Sequence, residues 1–110
     1  MIYLIKKQPT ERQIQEMLEA HGSFIKLAVD VEREVLSGGG GYHRDCEAVL
    51  LEDGSRQENI WGADWIPKTK RVRFEALINI RPKTNRSMVI QDPSVRKKVE
   101  VVVRRLFDYP

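Results

Sequence analysis

Three groups of residues have types and spacing that could do chemistry. The first is Tyr42-His43-Arg44-Asp45-Cys46-Glu47. A thiol near an imidazole and a carboxylate could act as a nucleophile with its base and orienter. On that reading His43, Asp45 and Cys46 are catalytic, Asp30 or Glu32 adds an acid–base group, and Cys46 needs a lowered pKa. The same groups could ligate a metal. His43 and Cys46, however, lie only three apart on a loop or strand start, and no second Cys or His pair completes a zinc site. No metal and no cofactor are therefore expected. His21, the other histidine, falls near the end of a helix. A lone cysteine leading into a strand is ordinarily a small buried hydrophobe.

The second group is the polar face of a sheet. Lys26, Asp30 and Glu32 share one strand face by alternation, and Arg73, Glu75, Asn79 and Arg81 share another. If the two strands are neighbours, carboxylates and guanidinium groups converge, which suits acid–base work or a divalent cation. The plainer alternative is cross-strand ion pairing on a solvated face. The third group is Arg81-Pro82-Lys83-Thr84-Asn85-Arg86-Ser87. Its cations, hydroxyls and amides could hold a phosphate or a carboxylate. Lys97, Lys98, Arg104 and Arg105 could extend it into a nucleic-acid surface, although neither an aromatic stacking pattern nor helix-turn-helix spacing accompanies them. The expected ligand-binding set is Asp30, Glu32, Asn79, Arg81, Asn85 and Arg86. The glycine run Gly38–Gly41 is no phosphate loop, because Gly41 is followed by Tyr42 rather than Lys.

These groups need elements to position them. Ile2–Ile5 reads as a short strand. Thr10 and Gln13 form a capping box for a helix bearing Ile14, Met17, Leu18 and His21 on one face, with Gly22 as its stop. Ile25, Leu27, Val29 and Val31 alternate with polar or small residues, as in a half-buried strand. Arg33–Ser37 fits a strand or a helical turn, and Gly38–Gly41 a loop. Glu47–Glu52 reads as a strand, with Asp53-Gly54 as a hairpin turn. The chain returns through Gln57–Ile66, turns at Pro67–Lys70, and gives its clearest strand over Arg71–Arg81. Setting Ile66 opposite Arg71 puts Trp65 against Val72, Ala63 against Phe74, Trp61 against Ala76, and Asp64 against Arg73. A short strand follows near Ser87–Ile90. Asp92 and Pro93 then open a final helix with Val95, Val99, Val102, Val103 and Leu106 as its apolar stripe.

The expected architecture is α+β: one domain over residues 1–110, with a curved antiparallel sheet of about four to six strands. An N-terminal and a C-terminal helix are expected to pack on one face. Hydrophobic residues at 41% and charged residues at 32% suit a folded chain. The first apolar stretch, Met1–Ile5, is too short for a membrane span or a signal segment, so no membrane partner is expected. Cys46 is the only cysteine, which favours a reducing, cytoplasmic setting. The net charge of +3 conceals an asymmetry. Residues 1–55 carry six positive and ten negative side chains, and residues 56–110 thirteen and six. Such a split concerns partners rather than fold.

Several strings together resemble a known family. They are Val29-Asp30-Val31-Glu32-Arg33 with the glycine run, His43-Arg44-Asp45-Cys46-Glu47, and Leu50-Leu51-Glu52-Asp53-Gly54-Ser55 leading into Gln57-Glu58-Asn59-Ile60-Trp61-Gly62-Ala63. Ile78-Asn79-Ile80-Arg81-Pro82 and Asn85-Arg86-Ser87-Met88 complete the set. The family is a group of short bacterial and archaeal proteins known only as a domain of unknown function. The resemblance implies a prokaryotic, cytoplasmic protein and brings no activity, ligand or catalytic residue with it.

The leading expectation is a small binding module that recognises an anionic ligand, or a protein or nucleic-acid partner, through Arg81, Arg86 and the loop between them. Lys97 and Arg104 are secondary contacts. The alternative is a small enzyme built on His43, Asp45 and Cys46. A third possibility is a homodimer in which the acidic half of one copy meets the basic half of another.

Overall fold

The computed structural model describes residues 1–108, which form five strands and three α-helices. In chain order these are β1 (Tyr3–Ile5), α1 (Glu11–Leu18), β2 (Ile25–Asp30), β3 (Val35–Gly38), α2 (His43–Glu52), β4 (Ile60–Ile66), β5 (Arg71–Arg73) and α3 (Pro93–Phe107). Single 3₁₀ turns lie at Gln57–Asn59 and Leu77–Asn79. The strands make one antiparallel sheet in the order β1-β3-β2-β4-β5. The class is α+β, but the sheet is open rather than strongly curled, and its order departs from a simple meander.

Local chemistry sets both terminal helices. Thr10 Oγ1 accepts from the Gln13 N–H at 3.1 Å, and Gln13 Oε1 accepts from the Thr10 N–H at 2.9 Å. Gly22, at φ 79°, receives the chain as α1 ends. Asp92 caps α3 by accepting from the Ser94 N–H at 2.8 Å, with Pro93 in the first turn. The stripe Val99, Val102, Val103 and Leu106 is buried.

Helices cover both faces of the sheet, because a third helix, α2, lies across it from α1 and α3. Ile25, Leu27 and Val29 of β2 join Met17 of α1 and the stripe of α3 in the larger core. Ala28, on the opposite side of β2, packs with Cys46 and Leu50 of α2 and with Ile60. Glu47–Glu52 is therefore helix, not strand. Cys46 and Leu50, one turn apart, are buried against the sheet while Ala48 between them is exposed; a strand would put all three on one face. Asp53-Gly54 consequently ends a helix and turns no hairpin. Gly54 has φ 102°, and the Ser55 N–H donates back to the Leu50 carbonyl at 2.9 Å.

The glycine run is only partly a loop. Gly38 closes β3, paired with Tyr3 and Leu27. A Cβ there would lie 2.7 Å from the Leu27 side chain. Packing removes the entropic objection to glycine in a strand.

The hairpin register holds at Asp64↔Arg73, Trp65↔Val72 and Ile66↔Arg71. The strand expected to run on to Arg81 stops at Arg73. From there the backbone pairs elsewhere: the Ile90 N–H donates to Phe74 O at 3.0 Å and the Ala76 N–H to Met88 O at 3.0 Å. Ser87–Ile90 contributes only an isolated bridge, Glu75↔Val89. The Asn79 side chain takes the vacated edge of β4. It accepts from the Gly62 N–H at 2.7 Å and donates to the Gly62 carbonyl at 3.0 Å. One amide side chain thus does the pairing of a strand residue.

Candidate functional site

The sheet register builds the site. Lys26 of β2 lies opposite Asp64 of β4, and Asp64 lies opposite Arg73 of β5. A cation–anion–cation row therefore crosses three adjacent strands on the face that α2 covers. His43, the first residue of α2, reaches the middle of that row. Its Nε2 lies 2.8 Å from Asp64 Oδ1 and 3.0 Å from the Ala63 carbonyl oxygen. A carbonyl oxygen can only accept, so Nε2 carries the proton and donates. The neutral ring then keeps its lone pair on Nδ1, for which no hydrogen bond is present among the described residues. Asp64 Oδ2 accepts from Arg73 Nε at 3.2 Å, and the Asp64 side chain is only 9% exposed.

Aromatic rings hold the remaining cations. Tyr42 precedes α2 and is 58% exposed. The Arg44 guanidinium lies 4.6 Å and the Lys26 ammonium 5.7 Å from that ring centroid. Arg73 lies 4.5 Å from the Phe24 centroid, and His21 stacks on Phe24 at 4.6 Å. Among the described residues Arg73 has Asp64 as its counter-ion, while Lys26 and Arg44 form no ion pair. These groups line one wall of a cleft of about 660 Å³. The rest of the lining is Glu75, Ala76, Leu77, Ile78 and Met88, from the segment after β5 and the stretch that pairs with it. That volume is in the range of small-molecule sites, roughly 300–1,000 Å³.

The residues singled out from the sequence scatter. His43 is in the cleft. Asp45, in the first turn of α2, is not the carboxylate that holds it; Asp64 is. Cys46 is fully buried and donates to the Lys26 carbonyl at 3.4 Å. Burial pushes its thiol up to about 11, the reverse of nucleophile activation. Asp30 is buried beneath the turn that follows β2. Its Oδ1 accepts from the Glu32 and Arg33 N–H groups, each at 2.9 Å, and its Oδ2 has no partner among the described residues. Glu32 lies exposed beyond the strand end, off the face of Lys26.

Asn79, Asn85 and Arg81 hold the chain together. Asn85 donates to the carbonyls of Asn79, Ser87 and Val89 at 3.0, 2.8 and 3.0 Å, and accepts from the Gln91 N–H at 2.9 Å. Arg81 donates to the carbonyls of Glu58, Gln57 and Ile60 and lies 3.6 Å from the Trp61 ring centroid. Burial lowers its pKa from the ordinary value. Its guanidinium lines a smaller hollow of about 300 Å³. Arg86 is exposed, with Nε on the Pro82 carbonyl at 2.9 Å. Lys97 and Lys98 are exposed on α3, away from the cleft lining. Arg104 is engaged by Glu100 and Asp108 at 2.8 and 3.1 Å.

Sequence reasoning named Lys26 and Arg73 in a sheet-face group and Tyr42 and Arg44 in the string around His43, but chose neither them nor Asp64 as ligand-binding residues. One signal was available: Asp64 is the only charge in the otherwise apolar strand Ile60–Ile66. A buried carboxylate there demands partners. Among the described residues no group of His, Cys, Asp and Glu could hold a metal ion, and no helix is long and apolar enough to cross a membrane.

Residues 3–106 match the family described as protein of unknown function (DUF5674). No curated protein and no solved structure matches the chain.

Proposed function

The chain belongs to this family of unknown function, and from that premise we propose that it is a small binding module that holds an anionic ligand in the cleft between α2 and the segment after β5. One observation carries the reading: Lys26 and Arg44 share the Tyr42 ring at the cleft and lack a carboxylate partner among the described residues. Two uncompensated cations beside an apolar wall suit a ligand with an anionic head and an apolar body. The binding role moves from the Arg81–Arg86 loop to this cleft, because Arg81 is already occupied by three backbone carbonyls. A macromolecular partner presenting such a group would meet the same cations. A cytoplasmic setting is part of the reading, supported by the buried, free Cys46.

Fluorescence titration with anilinonaphthalene sulfonate, an aromatic anion, tests the proposal. Saturable binding is expected that weakens with added salt. Lys26→Ala with Arg44→Ala is expected to lower affinity at least about tenfold, the loss of one or two charge-assisted contacts. Arg86→Ala is expected to change nothing. Equal affinity in the double variant removes the cleft as the site.

The His43–Asp64 hydrogen bond favours a second reading, a small acid–base enzyme. Its working group would be His43 held by Asp64, rather than His43 with Asp45 and Cys46. Turnover of an activated aryl ester that disappears in His43→Gln would support it.

A further inference from the structure

We infer that the cleft selects a tetrahedral oxyanion of the phosphate-monoester class, and that binding takes up a proton at His43 Nδ1. The inference rests on the anion-binding reading above and adds the identity of the head group.

The His43 tautomer carries the argument. Nε2 donates to two acceptors, Asp64 Oδ1 and the Ala63 carbonyl, so the ring is anchored through that atom in either charge state. Only Nδ1 can gain or lose a proton without breaking the anchor. His43 lines the cleft together with Lys26 and Arg44, so a protonated Nδ1 would add a donor to theirs. The groups around it come from every element that meets here. Lys26 is on β2, Asp64 on β4 and Arg73 on β5; Arg44 and Asp45 are on α2; Glu75 follows β5. Asp64 is shared between His43 and Arg73 at 2.8 and 3.2 Å, which leaves Lys26 and Arg44 uncompensated.

A planar carboxylate offers two oxygens and one charge. A phosphate monoester offers three oxygens and about −1.5 to −2 charges near neutral pH, matching two fixed cations and one acquired N–H. The wall of Ala76, Leu77, Ile78 and Met88 takes the organic part of the ester. Because the third donor exists only when Nδ1 is protonated, affinity falls as pH rises.

Isothermal titration of the full chain tests this with three aromatic anions: phenyl phosphate, benzoate and benzenesulfonate. Phenyl phosphate is expected to bind about tenfold more tightly than benzoate, one extra charge-assisted contact. Benzenesulfonate does not titrate near neutral pH, so any proton uptake on its binding comes from the protein. Its apparent enthalpy is expected to differ between two buffers of unlike ionisation enthalpy. His43→Gln, which can still donate an N–H to Asp64, is expected to abolish both the buffer dependence and the preference for phosphate. Benzoate binding as tight as phenyl phosphate, or enthalpies identical in both buffers, overturns the inference and leaves the anion cleft standing. Failure of all three anions to bind overturns both. Should His43→Gln not fold, the buffer comparison on the unaltered chain decides alone.

Discussion

At the residue scale, Cys46 and Asn79 show how burial assigns roles. Cys46 is shielded by α2 and β2, and burial raises its thiol from 9.0 to about 11. Iodoacetamide is expected to label it very slowly in the folded protein at pH 8 and readily after denaturation; fast native labelling would contradict the buried geometry. The same shift bears on stability. The folded-state value lies above the unfolded one, so between these values the folded chain binds more protons. The thiol's contribution is intact below about pH 9 and is lost as pH rises toward about 11. Its full size is on the order of 2–3 kcal/mol, measurable by urea denaturation across that interval. Asn79 is fully buried and bonds both the N–H and the C=O of Gly62. Asn79→Ala orphans both groups and is expected to cost roughly 2–4 kcal/mol in chemical denaturation. Asn79→Asp keeps the acceptor but loses the donor, and is expected to be no milder, because it also buries a charge.

At the element scale, the decisive event is where β5 stops. Its three residues, Arg71–Arg73, suffice to place Arg73 on Asp64, after which the chain leaves β4 for the Met88–Ile90 backbone. Gly62 permits this, because a Cβ there would collide with the Ala76 and Ile78 side chains. Gly62→Ala is expected to push the Ala76–Asn79 segment off the strand, at a cost of about 1–3 kcal/mol, and to deform the apolar wall of the cleft. Thermal melting together with anion titration checks it: a variant of native stability and affinity would show that the close approach is unimportant. The start of α1 is an independent device. Thr10→Ala removes one arm of the capping box and is expected to cost about 1 kcal/mol with no effect on the cleft.

At the scale of the whole molecule, β2 is the central strand of the sheet. It lies between β3 and β4, with α2 on one face and α1 and α3 on the other, and Leu27–Asp30 are all buried. Native-state hydrogen exchange is expected to be slowest in β2 and its partners in β3 and β4, and fastest in the edge strands β1 and β5. Uniform protection across all strands would contradict this layering. The opposite charges of the two chain halves are partly reconciled inside one copy. Glu34 of the first half pairs with Arg105 of the second at 3.8 Å.

The sequence by itself determined what depends on near neighbours: both terminal helices with their caps, the Asp64–Arg73 register, and the turn at Pro67–Lys70. Each is set by contacts a few residues apart, where capping hydroxyls and alternating side chains leave one favourable arrangement. It misassigned Glu47–Glu52, since a short run of Glu, Ala, Val and Leu satisfies either period and only packing on Ala28 and Ile60 selects the helix. It overextended the strand from Arg71, because nothing local announces that an asparagine amide will replace the backbone against Gly62. The cleft belonged to the tertiary structure altogether. Lys26, His43 and Asp64 lie far apart in the chain and meet only because β2 pairs with β4 while α2 covers the same face. Alternation fixes which side of its own strand a residue takes; the order of strands and the placement of helices are settled by the global burial of apolar surface.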